Sequence, residues 1–180
     1  MNRDNPDTSV GWFYYDGFSR NSRVRYDTPN FGGLTGAVSF ASGDRQELAA
    51  RFNREVGPGR LIVLAGLANS ADGSNDRTMI SGGYQFNNRF SFAGSRSTRT
   101  QADDAPDLES IFLSANYQFG KTIVSFDFGQ SGVDGEDEIQ KVGFIYKSVK
   151  QIDLYGGYVN FNNADDTSLA SGFAGARYKF

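Results

Sequence analysis

The fold class of this chain is decided by residues Ser110–Phe119, SIFLSANYQF. Within this stretch Leu113, Ala115, Tyr117 and Phe119 share one parity, and polar residues occupy the positions between them. A period of two places apolar side chains on one face of a β-strand and polar side chains on the other. The stretch therefore predicts a strand that separates an apolar environment from a polar one.

The same alternation recurs along the chain. It predicts eleven strands, near residues 20–27, 34–42, 46–55, 60–70, 77–86, 89–98, 108–119, 122–130, 139–148, 151–161 and 171–180. No segment has a helical period with caps, so the fold class is all-β. Consecutive strands of this length joined by turns indicate an antiparallel up-and-down meander.

The connections between the strands fall into two classes that alternate along the meander. Short ones, such as Val56–Gly59, alternate with longer polar ones, such as Asn69–Arg77, and the longer ones hold most of the 21 acidic residues. Aromatic residues lie near the strand ends, at Tyr26, Phe31, Phe40, Phe86, Phe90, Phe119, Tyr146, Tyr158, Tyr178 and Phe180. Short turns at one rim, long loops at the other and aromatic girdles are typical of a transmembrane β-barrel.

Composition excludes several function classes. The chain has no cysteine and no histidine, which removes thiol nucleophiles, disulfides, structural zinc sites and histidine acid–base catalysis. The net charge of −3 offers no basic surface for nucleic acid. The longest apolar stretch, Leu61–Ala68, is too short for a membrane-spanning helix, and the N-terminus has no signal-peptide pattern.

Strand direction predicts that the sheet is open. The first predicted strand ends at a short turn, and ten reversals later the last strand runs the same way. Direct closure would need a parallel seam, whereas bacterial single-chain barrels have antiparallel neighbours throughout. We therefore expect about 11 strands in a partial, open barrel that does not conduct alone.

Two segments resemble the general porins of Gram-negative bacteria. Ser19–Leu34, SRNSRVRYDTPNFGGL, is similar to the strand and periplasmic turn that follow the third loop of those proteins, and Gly11–Phe18, GWFYYDGF, looks like the end of that loop. The terminal GARYKF, with Tyr178 and Phe180, looks like the outer-membrane insertion signal read by the barrel-assembly machinery. Residues 1–19 would be a remnant of the inward constriction loop, and residues 20–180 would be barrel strands. Relative to the sixteen strands of the family, a leader and about five strands are expected to be missing.

The resemblance implies a function. It implies a homotrimeric channel in the bacterial outer membrane, among lipid and lipopolysaccharide, for ions and small hydrophilic solutes. It implies no cofactor, no catalytic residue and no metal site. The narrowest point would lie between the acidic inward loop, at Asp16 and less securely Asp4 and Asp7, and the wall arginines Arg20, Arg23 and Arg25.

The residues themselves support part of this assignment. Arg23 and Arg25 alternate with Val24 and Tyr26, so they face the lumen if the apolar face meets lipid, where an arginine at the midplane would cost about 2–4 kcal/mol. Fixed charge on a lumen wall sets ion selectivity. The alternative is that these arginines only solvate a polar face or pair with neighbouring acids.

Further lumen positions follow from the same alternation. They are Arg51, Asp127, Lys141, Lys147, Asp153, Arg177 and Lys179, and most of them are expected to be plain solvated positions. The acidic clusters Asp103–Asp104 and Glu136–Glu138 would either hold divalent cations that bridge lipopolysaccharide phosphates or be solvated loop charge.

Two other classes of function remain as alternatives. One is a surface-exposed or secreted β-sandwich used for adhesion or binding. The other is an outer-membrane barrel enzyme such as a phospholipase or protease, for which the chain offers no histidine-based machinery and no other supporting motif.

Overall fold

The structure is a computed structural model, and it describes residues 22–70, 73, 76–86, 89–101, 105–133, 137–163 and 168–178. These residues form eleven strands: β1 Arg23–Asp27, β2 Leu34–Ala41, β3 Arg45–Val56, β4 Gly59–Asn69, β5 Arg77–Phe86, β6 Phe90–Arg99, β7 Leu108–Phe119, β8 Thr122–Gly132, β9 Asp137–Val149, β10 Ile152–Asn162 and β11 Ser168–Tyr178. The predicted number of strands is confirmed, and the predicted bounds differ from the observed ones by a few residues at most.

All eleven strands belong to one antiparallel sheet, in which the spatial order follows the chain order from β1 to β11. Within the described residues, β1 pairs only with β2 and β11 only with β10, so the sheet has two open edges. The prediction of an open, up-and-down sheet is confirmed. Among these residues, no helix is long and apolar enough to cross a membrane.

The two faces of the sheet have different environments. We call the face that carries Arg25, Arg51 and Asp127 the inner face, and the face that carries Val24, Leu48 and Leu113 the outer face, as the strand register fixes them. Every buried residue other than glycine lies on the inner face: Ser39, Ala68, Ser81, Phe112, Ser114, Ile123, Asp127, Ile145 and Asp153. Because each strand packs mainly on its sequence neighbours, this uneven burial indicates that the sheet curves around the inner face.

The outer face is apolar, and its aromatic residues gather at one end. Near the short turns Tyr26, Tyr84, Phe86, Phe90, Phe92, Tyr117, Phe119, Phe144, Tyr146 and Tyr178 point outward. Neighbouring rings are in contact, as with Tyr84 and Phe86, whose centroids are 5.8 Å apart. Toward the opposite rim the described outer face carries polar residues such as Thr98 and Glu138 and fewer aromatic ones: Phe40 near the end of β2 and, closer to the middle of their strands, Phe128 and Tyr158. Aromatic residues thus lie toward both ends of the strands on the outer face, and most of them form an aromatic belt at the short-turn rim.

The connections correct one sequence-based expectation. At the belt rim β3–β4 and β7–β8 are joined by the two-residue turns 57–58 and 120–121, whose first residues, Gly57 and Gly120, have φ of 59° and 56°. Two-residue hairpins favour such turns because their twist matches that of the strands. The β1–β2 connection at this rim spans residues 28–33, however, and the β2–β3 connection at the far rim spans only residues 42–44. Strict alternation of short and long connections is therefore wrong for the first two hairpins, and it holds from β3 onward.

Candidate functional site

The inner face is lined with ion pairs that cross from strand to strand. Asp127 on β8 lies opposite Lys141 on β9, with 3.3 Å between Oδ2 and Nζ, and the Ser114 hydroxyl donates a hydrogen bond of 2.7 Å to Asp127 Oδ1. The carboxylate is 3% exposed. A buried charge needs a partner of opposite sign and hydrogen bonds, and here β7 and β9 supply them from either side of β8.

A second pair joins the last two strands. Arg177 on β11 donates a hydrogen bond of 2.6 Å from Nη2 to Oδ2 of Asp153 on β10. Lys147 on β9 lies opposite the same aspartate in the strand register. Asp153 is 1% exposed, so it forms the buried centre of a row of charges across three strands.

The arginines of β1 are also paired. Arg23 Nη1 lies 3.0 Å from Glu47 Oε2, which also accepts a hydrogen bond of 2.7 Å from the Ser39 hydroxyl. Arg25 and Asp27, two residues apart on the same face, form a contact of 2.6 Å. Both arginines lie on the inner face, and the structure therefore supports pairing with neighbouring acids, one of the two interpretations that the sequence left open.

Arg51 on β3 differs from these pairs. It lies on the inner face opposite Thr35 and Leu64, and its side chain is exposed. Within the described part of the chain no acid lies within ion-pair distance of it. Arg51 therefore lacks the paired acid that Arg23, Arg25, Lys141 and Arg177 have.

The structure brings some predicted residues together and corrects how others were interpreted. Asp127 meets Lys141, and Asp153 meets Arg177. The expectation that these positions are plainly solvated is wrong for the two aspartates, because neighbouring strands cover them. Tyr178 ends β11 and points outward, 59% exposed. Several other predicted residues lie outside the described residues: Asp4, Asp7, Asp16, Arg20, Lys179 and Phe180. The acids Asp103, Asp104 and Glu136 lie outside them too.

The sequence reasoning missed a group of inner-face arginines toward the far rim. Arg77 on β5 and Arg99 on β6 lie directly opposite each other, and Arg45 on β3 faces the same side. Like charges directly opposite each other destabilise a sheet. The parity of Met79 and Ser81, two and four residues after Arg77, is the signal that would have placed this side chain on the inner face.

Chemically, this wall provides fixed charge. Its groups are guanidinium, ammonium and carboxylate in pairs, together with hydroxyls. Over the described ranges no cluster of acidic side chains has the arrangement to hold a metal ion. Charges fixed on one side of a sheet whose other side is apolar can steer ions along a wall.

Comparison with known proteins identifies proteins of the same architecture. A family model described as Gram-negative porin matches residues 4–167. A triple mutant of Rhodopseudomonas blastica porin superposes with a TM-score of 0.62 at 16% identity, covering 88% of this chain and 54% of that one. Another mutant of the same porin gives a TM-score of 0.60 at 15% identity, covering 83% and 52%. The chain thus spans about half the length of these solved structures. No curated protein matches it.

Proposed function

The chain belongs to the Gram-negative porin family, and from this we propose that it forms part of the wall of a water-filled channel in the bacterial outer membrane. Ions and small hydrophilic solutes would diffuse passively along the inner face. The outer face would contact the hydrocarbon of the membrane.

One observation carries the proposal: the two faces of the sheet differ in polarity, most clearly in the middle of β8. On β8 the outer residues are Val124, Phe126 and Phe128, and the inner residues between them are Ser125 and Asp127. A soluble sheet would bury its apolar face against a second layer, but among the described residues the strands form one sheet and Phe126 is 49% exposed. An apolar outer face and a charged inner face are what a porin wall needs.

Conductance tests the proposal. A chimaera would join this chain to the part of Rhodopseudomonas blastica porin that lies outside the matched region, so that the open edges can pair. We expect stable single-channel currents from the chimaera in a planar bilayer and none from the 180-residue chain alone, because unpaired strand edges are costly in hydrocarbon. A chimaera that inserts and folds but carries no current would contradict the channel function.

The narrowest part of the channel is a second element of the proposal. Residues 1–19 would supply an inward loop with Asp16, while Arg20, Arg23 and Arg25 would face it from the wall, and residues 20–180 would form the barrel strands. The inward direction of Arg23 and Arg25 supports this arrangement. Since their charges are partly balanced by Glu47 and Asp27, we add Arg51 as a contributor to selectivity.

The partners that we propose for this chain rest on its family and on the residues at the two ends of the sheet. We propose assembly as a homotrimer, contact with lipopolysaccharide at the far rim, and delivery by the barrel-assembly machinery through Tyr178 and Phe180. The outward direction of Tyr178 at the belt rim supports its part in such a signal. Replacing Tyr178 with alanine should lower the yield of inserted chain, measured as the heat-modifiable fraction on a gel.

The two other classes of function are less favoured. A β-sandwich adhesin needs two packed sheets, and within the described chain the strands form one. The family and the fold indicate a channel rather than an enzyme, and we propose that the chain has no hydrolytic activity. Turnover of lipid or peptide substrates by the purified chain would contradict this.

A further inference from the structure

Two aromatic rings lie across the inner face of the last two strands. In the register of β10 with β11, Tyr155 is opposite Gly175 and Phe173 is opposite Gly157, so each ring has a glycine as its cross-strand partner. A Cβ at Gly175 would lie 2.6 Å from the Tyr155 ring, and a Cβ at Gly157 would lie 2.8 Å from the Phe173 ring. Each ring therefore lies over the backbone of the neighbouring strand and does not stand out from the wall.

The two rings form one surface, which we call the aromatic platform. Tyr155 and Gly157 are two residues apart on β10, and Phe173 and Gly175 are two residues apart on β11, so the two ring positions are neighbours, about 7 Å apart along the strands. Tyr155 is 36% exposed and Phe173 is 40% exposed. Because one side of each ring lies against the backbone, the exposed side is a broad aromatic face directed away from the sheet.

Polar groups flank the platform on both sides. Toward the belt rim, the next inner-face pair is Asp153 with Arg177, and the Arg177 side chain is 28% exposed. Toward the far rim, the next inner-face pair is Val159 with Ser171. An apolar surface with a few polar groups at its edges is the usual composition of a site for a small molecule.

The charges of this part of the wall are balanced. Among the described residues, the inner positions of β7–β11 carry three acids and three cations: Asp127, Asp137, Asp153, Lys141, Lys147 and Arg177. On the inner face of β1–β6, by contrast, arginines such as Arg51, Arg77 and Arg99 outnumber the acids. Since attraction of an ion requires a net opposite charge, the balanced surroundings of the platform favour an uncharged solute.

We propose that the aromatic platform binds neutral pyranose sugars as they pass along the inner face. The inference rests on the proposed function, because it requires the inner face to be in water and accessible to solutes. A pyranose with equatorial hydroxyls has C–H groups on both of its faces, and polarised C–H groups pack against the negative face of an aromatic ring. The hydroxyls at the edge of the sugar would form hydrogen bonds with Arg177 and Ser171.

Saturation-transfer NMR tests the proposal on the full chain. The chain is folded in a phosphocholine detergent, which carries no sugar, and methyl β-cellobioside is added because all of its ring substituents are equatorial. We expect saturation of its ring C–H protons, and much less saturation of mannitol, which has hydroxyls but no ring. Phe173→Leu and Tyr155→Leu, which keep an apolar side chain without a π face, should each raise the Kd for the sugar about threefold.

The outer face offers a matched control. Phe144 lies over Gly156 in the same way, since a Cβ at Gly156 would be 3.0 Å from the Phe144 ring, but this pair is on the opposite face of the sheet. Phe144→Leu should therefore leave the Kd unchanged. Phe173→Tyr, which keeps a ring, should bind the sugar like the native chain. Circular dichroism identifies the variants that are folded, and only their Kd values are compared.

Three results would overturn the sugar site. They are the absence of saturation in the native chain, equal saturation of mannitol and the sugar, and a Kd that is the same in the native chain and in whichever of the two leucine variants is folded. The conducting chimaera separates this site from the channel. There the sugar should reduce the single-channel current, and Phe173→Leu should weaken the reduction. A current that the sugar does not change would overturn the sugar site and leave the channel proposal standing, whereas a folded chimaera without any current would overturn both.

Discussion

Arg177 Nη2 lies 2.6 Å from Asp153 Oδ2, and this contact ties the edge strand β11 to β10. Because Asp153 is 1% exposed, removing its partner leaves a buried carboxylate poorly compensated. We predict that Arg177→Gln lowers the free energy of unfolding by about 3 kcal/mol. Urea titration of the chain in vesicles, monitored by circular dichroism, measures this free energy of unfolding.

Two further variants control this measurement. The double variant Asp153→Asn with Arg177→Gln should be less destabilised than the sum of the single changes, because the two groups interact directly. Lys150→Gln, in the β9–β10 turn, should change stability by less than about 0.5 kcal/mol. Additive effects would mean that the ion pair does not couple the two strands.

Charge reversal on the inner wall should change ion selectivity. In the conducting chimaera we expect Arg23→Glu with Arg25→Glu, and Arg51→Glu by itself, to shift the reversal potential in a salt gradient toward cation preference. The reason is that fixed lumen charge acts directly on permeating ions. Lys150→Glu, at the end of the sheet, should shift it little because salt screens exposed charge beyond about 10 Å. An unchanged potential for Arg51→Glu would remove this residue from the selectivity-determining wall.

The absence of cysteine makes the two faces directly testable. Ser125 and Phe126 are adjacent on β8 and point to opposite faces. A membrane-impermeant maleimide is applied to both sides of a membrane in which the chain is embedded. We expect it to label Ser125→Cys and to leave Phe126→Cys unlabelled until detergent is added. The reverse pattern would mean that the apolar face is not the one in lipid.

Gly157 on β10 should tolerate no side chain. A Cβ at this position would clash with the Val142 carbonyl oxygen of β9 and lie 2.8 Å from the ring of Phe173 on β11. Because a backbone oxygen cannot move without disturbing the ladder, we predict that Gly157→Ala lowers the free energy of unfolding by about 1–3 kcal/mol. Gly172→Ala on β11, whose Cβ would meet only an oxygen at 3.9 Å, is the control and should leave stability unchanged or raise it slightly. Equal urea midpoints for the two variants would contradict the close approach.

Much of the fold could be predicted because period-two alternation determines both the strands and the faces. The parity of Arg25 and Asp127 predicts that both lie on one polar face, and the structure has both on the inner face. The length of the β2–β3 connection was not predictable in this way. Ser42–Arg45 is as polar as a long loop, yet Asp44 at φ 53° and Gly43 at φ 76° turn the chain within three residues.

The ion pairs of the inner face were harder to predict from the sequence than the strands. Asp153 and Arg177 are 24 residues apart, and their contact depends on the register of β10 with β11. Asp153 lies opposite Lys147 only because the register shifts at Ile152 and Asp153, at the start of β10. Such an irregularity leaves no mark in the alternation of polar and apolar residues. Burial of the aspartates was missed for the same reason: it depends on which strands lie on either side.

The uneven distribution of aromatic residues has a mechanical consequence for a protein that must fit bilayers of different thickness. Aromatic side chains prefer the level of the lipid headgroups, so the belt would fix the height of the sheet mainly at the short-turn rim. The far rim carries Thr98 and Glu138 and fewer rings than the belt on the described outer face. A thinner or thicker membrane would therefore be accommodated mainly at that end, where polar side chains can move between water and headgroups at little cost.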